Sequence, residues 1–202
     1  MSATAAAPAT TAAAVASRER QEVTIIGQLV GATNLASQNA HCTWNLRAGP
    51  SWIHLSGATH GVSQCDAPLE GGACVFQHPI DCVFEGGELR GWPRLELELR
   101  FLDAHGRSDI AGYAVAHVPT TPGVHRLRCP VWAPRGSLMD RITAFFIGGY
   151  PQLKDPTLIF GRFEDEDSKT LRRAEGDSRL SSAGNGLVHI DVGVYRRTIP
   201  EA

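Results

Sequence analysis

Residues 94–101 read Arg-Leu-Glu-Leu-Glu-Leu-Arg-Phe, and this stretch decides the class of fold. Apolar and charged side chains alternate strictly along it, which is the period of a β-strand that buries one face and exposes the other. The stretch therefore predicts an antiparallel strand with a leucine face in the core. The residues predicted to face water are Arg94, Glu96, Glu98 and Arg100.

The same period of two recurs on both sides of this stretch. Alternating apolar residues predict further strands over 23–31, 41–47, 73–77, 80–84, 110–118, 124–129 and 187–195. About eight short strands separated by Gly- and Pro-rich turns are typical of two packed antiparallel sheets. The sequence therefore predicts an all-β protein, an antiparallel β-sandwich.

The remaining segments predict how the chain is divided. Residues 1–20 are rich in Ala and Thr and poor in large apolar groups, so we expect a disordered tail; a transit peptide is the alternative. One short helix is predicted over 137–149, where apolar residues recur at helical spacing. The folded domain is predicted over 21–197, with a mobile acidic and Ser-rich loop at 161–186 and a C-terminal tail at 198–202.

Composition limits the classes of function. The chain has 202 residues, 43% of them hydrophobic, which suits a single domain with one core. Nineteen Lys and Arg against 21 Asp and Glu give a formal charge of −2, so we expect no nucleic-acid partner. No apolar run approaches the roughly 20 residues of a membrane-spanning helix. Five cysteines without a signal segment favour a reducing compartment.

Motifs for catalysis or cofactor binding do not emerge. The sequence offers neither a phosphate-binding Gly-rich loop nor a nucleophile elbow, so we predict neither an enzyme nor a cofactor. A zinc site is conceivable at Cys65, Cys74, His78 and Cys82. Because structural zinc sites use close Cys pairs, the spacing favours thiols packed in the core, with His78 before a turn at Pro79.

The four tryptophans are candidate binding platforms as well as candidate core residues. Trp44 lies on an apolar strand face, so we expect it in the core. Trp52, Trp92 and Trp132 lie beside prolines or turns, where both loop packing and partner contact are possible roles.

Longer strings of sequence resemble the B9-domain family. The similar strings are 22–32, 78–81, 91–95, 106–107, 111–113, 117–119, 122–125, 129–134, 136–137, 148–153 and 188–193, together with Trp44. The resemblance extends over about 22–197, so many ordered strings make it far more specific than a single motif. It implies a variant of the C2-type sandwich.

The C2 resemblance raises the question of calcium, which requires six to eight oxygen ligands. Asp103 and Asp109 look like remnants of one calcium-binding loop. The other loop, over 34–40, contains no Asp or Glu. We therefore predict no metal site and expect the two aspartates to cap turns.

The family resemblance implies a structural role at the cilium. It implies a non-catalytic component of the ciliary or flagellar transition zone and basal body, on the cytoplasmic side. Expected partners are sister B9-domain proteins and transmembrane and coiled-coil proteins of a Meckel-syndrome-type complex, which supports cilium assembly and gates membrane-protein entry. Candidate partner-binding residues are Trp92, Pro93, Trp132, Tyr150 and Pro151. The alternative is a calcium-independent lipid-binding C2-type module that recruits cargo to membranes. Otherwise membrane contact is expected to be indirect, because the basic residues are dispersed.

Overall fold

The computed structural model describes residues 20–35, 39–68, 72–87, 89–102, 106–134 and 182–199. They form nine β-strands, and within these ranges there is no helix that could cross a membrane. The helix predicted over 137–149 lies outside the described residues. The strands are β1 Arg20–Thr33, β2 Ala40–Arg47, β3 Trp52–Gly57, β4 His60–Val62, β5 Cys74–Gly86, β6 Arg94–Leu102, β7 Ser108–His117, β8 Gly123–Pro134 and β9 Ser182–Ile199.

All nine strands join one continuous antiparallel sheet in the order β3-β5-β1-β9-β8-β7-β6-β2-β4. β1 is the central strand of the first half, paired along most of its length with β5 on one side and β9 on the other. β7 and β8 are joined by a single residue pair, Tyr113 opposite Trp132. This thin junction divides the sheet into a first half, β3-β5-β1-β9-β8, and a second half, β7-β6-β2-β4.

The two halves share one hydrophobic core. Leu46 and Leu95 of the second half line the same void of about 10 Å³ as Ile80 and Ile190 of the first half. Residues on opposite strands of the sheet therefore meet across the interior, which makes the curled sheet a β-sandwich and confirms the predicted fold class. The largest fully buried core side chains are Trp44, Phe76, Ile25, Leu29, Leu97, Leu99 and Ile190.

The chain passes directly from one edge of the sandwich to the other between β3 and β4. The amide of Ala58 donates to the carbonyl of Asp81 at 3.1 Å, and the amide of Leu46 donates to the carbonyl of Thr59 at 2.6 Å. Gly57 adopts φ +89°, and a Cβ there would lie 2.2 Å from the Asp81 carbonyl oxygen. Glycine is required at this corner because the backbone conformation and the close approach both exclude a side chain.

Asp66 connects the two halves at a second point. Its backbone exchanges hydrogen bonds with Ala40 of β2 at 3.0 and 2.9 Å. Its Oδ2 accepts a hydrogen bond from the amide of Val75 in β5 at 2.7 Å. The open edge of β5 is therefore covered by the chain that follows β4, which satisfies edge groups that would otherwise be available for aggregation.

The alternation correctly predicts the facing of the main strands. Leu95, Leu97 and Leu99 are all buried, as predicted. The same holds in the final strand, where every predicted inward residue is at most 5% exposed: Val188, Ile190, Val192 and Val194.

The predicted wet face of β6 is wrong in part. Arg94 and Glu96 are only 9% and 5% exposed, although they lie opposite the leucine face. Their burial is possible because they form an ion pair, with Arg94 Nη2 3.1 Å from Glu96 Oε1. Arg47 approaches the other Glu96 oxygen at 3.4 Å. Glu98 and Arg100, which form their own ion pair, remain partly exposed as expected.

The predicted turn at Pro79 is also wrong. Pro79 lies inside the single long strand β5, opposite Gln28 of β1. β3 pairs only with Gly86 to Cys82 of that strand. Pro79 therefore lies where β5 has one strand neighbour, a position that tolerates a residue without an N–H.

The sequence patterns miss two strands and displace several boundaries. β3 and β4 are not predicted, since their residues show no regular apolar alternation. β1 begins at Arg20, within the predicted tail. β9 extends over 182–199 and so includes residues assigned to the mobile loop and to the C-terminal tail.

Candidate functional site

Two of the predicted contact residues, Trp92 and Pro93, lie in the corner between β5 and β6. Pro93 is buried, and Trp92 is partly buried against the core. The Trp92 ring packs edge-on against Trp52, with ring centroids 5.1 Å apart and an interplanar angle of 85°. Edge-to-face geometry of this kind stabilises aromatic pairs beyond simple burial. Trp52, which the sequence indicates only as a tryptophan beside a turn, is therefore the structural partner of Trp92.

Backbone hydrogen bonds fix this corner to the turn before β3. The amide of Gly49 donates to the carbonyl of Gly91 at 2.7 Å. Trp52 Nε1 donates to the carbonyl of Arg90 at 3.1 Å. Gly91 has φ +73°, and a Cβ there would lie 2.8 Å from the Gly49 Cα. The two turns are thus held together in close contact, and the tryptophans have a rigid support.

A small cavity opens beside the two tryptophans. Its volume is about 150 Å³, and it is lined by Gln21, Trp52, Gly87, Leu89, Trp92 and Arg196. The guanidinium carbon of Arg196 lies 4.9 Å from the centre of the Trp92 ring, which is cation–π geometry. We call this the tryptophan–arginine pocket. No pattern in the sequence marks Arg196 as a pocket residue. It lies there because the end of β9 runs beside the corner.

Trp132 lies elsewhere, at the junction of β7 and β8. Its ring centroid is 5.6 Å from that of Tyr113, which is 1% exposed. Trp132 also pairs with Gly184 near the start of β9, whereas Arg196 beside Trp92 lies near the end of β9. A strand rises about 3.3 Å per residue, so the two tryptophans lie near opposite ends of an extended strand. The structure therefore does not bring Trp92 and Trp132 into one site. Tyr150 and Pro151 lie outside the described residues.

The first half of the sheet presents apolar side chains to solvent. Ile26 is 49% exposed, Tyr195 52% and Val124 74%, and they occur on the neighbouring strands β1, β9 and β8. The Tyr195 ring lies over Gly193, because a Cβ on that glycine would be 3.1 Å from Cε2 of the ring. Ile26, Val124 and Tyr195 define what we call the apolar outer face. The alternation pattern does not predict the apolar outer face. The consecutive residues Ile25 and Ile26 do, however, place apolar groups on both sides of β1.

The proposed remnants of a calcium loop are only partly described. Asp109 lies at the start of β7, opposite Phe101. Asp103 lies outside the described residues. The amide of Leu102 at the end of β6 donates to the carbonyl of Asn39, just before β2, at 2.9 Å. Within the described ranges, no three His, Cys, Asp or Glu residues are grouped closely enough to hold a metal ion.

The cysteines behave as buried apolar side chains, apart from the exposed Cys65. Burial raises the pKa of Cys82 to about 11 and that of Cys129 to about 11. Burial also raises the pKa of Cys74, so these thiols are protonated near neutral pH and are poor ligands and nucleophiles. His78 contacts the Trp44 ring, with centroids 5.8 Å apart. Cys74 and Cys82 therefore pack in the core as the sequence predicts, whereas Cys65, predicted to pack there as well, is exposed.

Comparisons with known proteins identify the family. Residues 23–195 match the family model described as "Ciliary basal body-associated, B9 protein". B9 domain-containing protein 2 of Danio rerio is 42% identical over 176 residues, which cover 87% of this chain and 94% of the relative. The Homo sapiens protein of the same name is 36% identical over the same coverage of both chains, 87% and 94%. B9 domain-containing protein 1 of Xenopus laevis is 28% identical over 138 residues, covering 67% of this chain and 70% of that protein.

A solved C2 domain is also similar. This domain, from a plant Extended Synaptotagmin 1, aligns with a TM-score of 0.38 and 9% identity, covering 91% of this chain and 98% of that one. The family match extends over nearly all of the described strands, and the Danio rerio and Homo sapiens relatives exceed 30% identity over most of both chains. This chain therefore belongs to the B9 family of ciliary basal body-associated proteins.

Proposed function

We propose that this chain is a non-catalytic structural component of the transition zone of cilia or flagella. In this role it assembles with sister B9-domain proteins in a Meckel-syndrome-type complex that supports cilium assembly and limits which membrane proteins enter the cilium. The observation that carries the proposal is the match to the B9 family over residues 23–195, which includes all but the ends of the described fold. Transmembrane and coiled-coil proteins are the further partners of the proposed complex.

The architecture supports a scaffolding role. Long antiparallel registers fix β1 between β5 and β9, and two corners are held by backbone hydrogen bonds. A surface that is rigid before association loses little conformational freedom on binding, so more of the contact energy appears as affinity. A rigid sandwich is therefore suited to hold partners at fixed positions.

The apolar outer face supplies a surface for such contacts. Tyr195 is 52% exposed, and Val124 on the adjacent strand is 74% exposed. Aromatic side chains beside aliphatic ones are the composition found at the centres of protein interfaces. Because the surface lies on paired strands and not on a loop, its shape is set by the sheet itself.

The proposal is tested by co-expression with the two sister B9-domain proteins of the same organism. We expect a complex that survives gel filtration at moderate salt, since apolar contacts are screened little by ions. A tagged copy in a ciliated cell should lie between the basal body and the axoneme, on the cytoplasmic side of the membrane. Separate elution at micromolar concentration in every buffer would contradict the proposal.

Liposome flotation separates this role from the lipid-binding alternative. The purified chain alone should stay with the soluble fraction, and it should float only when its membrane-bound partners are present. Flotation of the isolated chain without calcium, together with failure to form the complex, would favour a lipid-binding C2-type module. The same tagged protein in cells would then follow membranes rather than the ciliary base.

A further inference from the structure

The tryptophan–arginine pocket is formed by parts of the chain that the fold holds in place. The strands β1, β3 and β9 contribute Gln21, Trp52 and Arg196, and the turn after β5 contributes Leu89. Trp52 is fixed through its indole hydrogen bond to Arg90, and Trp92 packs against it. A preformed concave site of this kind loses little entropy when it is filled.

Among the described residues, Arg196 is the one charged side chain that lines the pocket, and it has no acidic partner there. Other arginines of the sheet do have one: Arg20 lies 3.0 Å from Glu85, and Arg126 lies 3.6 Å from Asp191. The Arg196 guanidinium instead rests on the face of Trp92. A guanidinium stacked on an aromatic ring keeps its in-plane N–H donors available for a planar anion.

The size of the pocket restricts its ligand. Its volume of about 150 Å³ is half the lower limit of roughly 300 Å³ for sites that enclose small-molecule ligands. The space suits one amino-acid side chain. The indoles and Leu89 provide apolar walls for methylene groups, whereas Arg196 and Gln21 provide donors at one side. A carboxylate on a short apolar stem satisfies both kinds of wall.

We propose that the tryptophan–arginine pocket binds a glutamate or aspartate side chain of a partner protein. The methylene groups of that side chain pack against Trp52 and Trp92, and its carboxylate pairs with Arg196. The inference rests on the proposed function in one respect, that the chain binds a protein partner through its surface. It names the chemistry that one partner segment presents, an acidic side chain in an otherwise extended or looped peptide.

The first test uses the isolated chain and requires no knowledge of the partner. The probe is N-acetyl-glutamate methylamide at up to tens of millimolar, and the readout is the four indole N–H resonances of the ¹⁵N-labelled protein. We expect the resonances of Trp52 and Trp92 to shift in a saturable manner, while that of Trp44 in the core stays fixed. Assignment follows from single Trp→Phe variants.

Matched probes and variants decide the outcome. The glutamine analogue of the probe should produce less than about a tenth of the shift, because it lacks the charge. Arg196→Gln should abolish the response, whereas Arg197→Gln on the neighbouring exposed position should retain it. Equal shifts with inorganic phosphate would mean a site for any anion and would overturn the assignment to an acidic side chain. No shift, or an unchanged response in Arg196→Gln, would also overturn it.

The second test uses the complex with the sister B9-domain proteins. Arg196→Gln should weaken that complex at least tenfold while the melting temperature of the isolated variant stays near wild type, and Arg197→Gln should leave the affinity unchanged. If the complex forms and Arg196→Gln does not weaken it, the pocket inference fails and the scaffold proposal stands. If the wild-type chain forms no complex, the scaffold proposal fails, and the inference is then decided by the peptide titration.

Discussion

Apolar residues are exposed on the outer face of the first sheet half, and charged residues are buried on the outer face of the second. Both are the reverse of the usual distribution. On the first half, Ile26 and Val124 are 49% and 74% exposed. On the second half, Arg94 and Glu96 are 9% and 5% exposed, although both are charged. Alternation in a strand determines which residues share a face. It does not determine what covers that face.

The two faces are tolerated for different physical reasons. A buried carboxylate is costly unless its oxygens are paired, and Glu96 meets Arg94 at one oxygen and Arg47 at the other. Exposed apolar groups cost little individually, since about half of any folded surface is apolar. The charged face therefore depends on its ion pairs, whereas the apolar outer face is free to serve another purpose.

The largest expected effect comes from breaking the buried ion pair. Glu96→Ala should lower the free energy of unfolding by about 3–5 kcal/mol, because the substitution removes the carboxylate that Arg94 and Arg47 both contact while Arg94 stays buried. Urea unfolding followed by tryptophan fluorescence measures the change. Glu98→Ala is the matched control, since Glu98 and Arg100 keep 24% and 31% of their side chains exposed; it should cost no more than about 1 kcal/mol. Equal losses would show that Glu96 is not buried as described.

The next effect contrasts a core leucine with an exposed isoleucine. Leu97→Ala should cost about 2–5 kcal/mol, because the side chain is fully buried in the core shared by both halves. Ile26→Ala on the apolar outer face should change the free energy of unfolding by no more than about 0.5 kcal/mol. The same urea curves compare both variants. A large loss for Ile26→Ala would mean that this face is covered within the isolated chain.

Much of the fold could be predicted because the buried strands carry a strong signal. Leu95, Leu97 and Leu99 alternate with charged residues, and the structure buries all three. β3 and β4 were missed because these outermost strands are exposed, so selection for alternating apolar residues is absent. Pro79 suggested a turn because the sequence does not show that β5 lacks a second strand neighbour at that position.

The candidate site could be predicted only in part, because it depends on contacts between distant segments. Trp92 is a candidate from its place in a turn, and the structure does put it at a surface corner. Its partners Trp52 and Arg196 come from other strands, and the registers of β3 with β5, β5 with β1 and β1 with β9 bring them together. The apolar outer face was missed because Tyr195 and Ile26 become neighbours only once the sheet is formed.

A smaller effect is expected within the apolar outer face itself. The Tyr195 ring covers Gly193, with the hydroxyl oxygen 3.2 Å from where a Cβ would lie. Tyr195→Ala should lower the free energy of unfolding by about 1 kcal/mol or less, the range of single side-chain contacts on a sheet face. Tyr195→Phe should retain most of the stability, since the ring still covers Gly193 through Cε2. A loss for Tyr195→Ala as large as that for Leu97→Ala would place the ring in the core.

The smallest expected effect is a pH dependence on the charged side of the sheet, at His41. Its Nδ1 is buried and has no hydrogen-bond partner among the described residues. Burial lowers the pKa of His41, and the nearby Arg100 lowers it further, against an opposing contribution from Glu98. The folded state therefore holds the ring neutral at a pH where the unfolded chain, with a pKa near 6.5, begins to bind a proton.

The sign of the effect follows from the lowered pKa in the folded state. The stabilisation is fully present above pH 6.5 and is lost as the pH falls below it, because protonation then favours the unfolded chain. Between pH 7.5 and 5.5 the wild type should lose more stability than His41→Gln. The difference should be smaller than the effects expected for the other variants, because solvent screens this partly exposed ring. Urea unfolding at both pH values gives the difference, and an NMR titration of the His41 ring gives the folded-state pKa directly. Identical pH dependence in the two proteins, or a ring pKa above 6.5, would show that water or a carboxylate reaches His41 and that this side of the sheet is open.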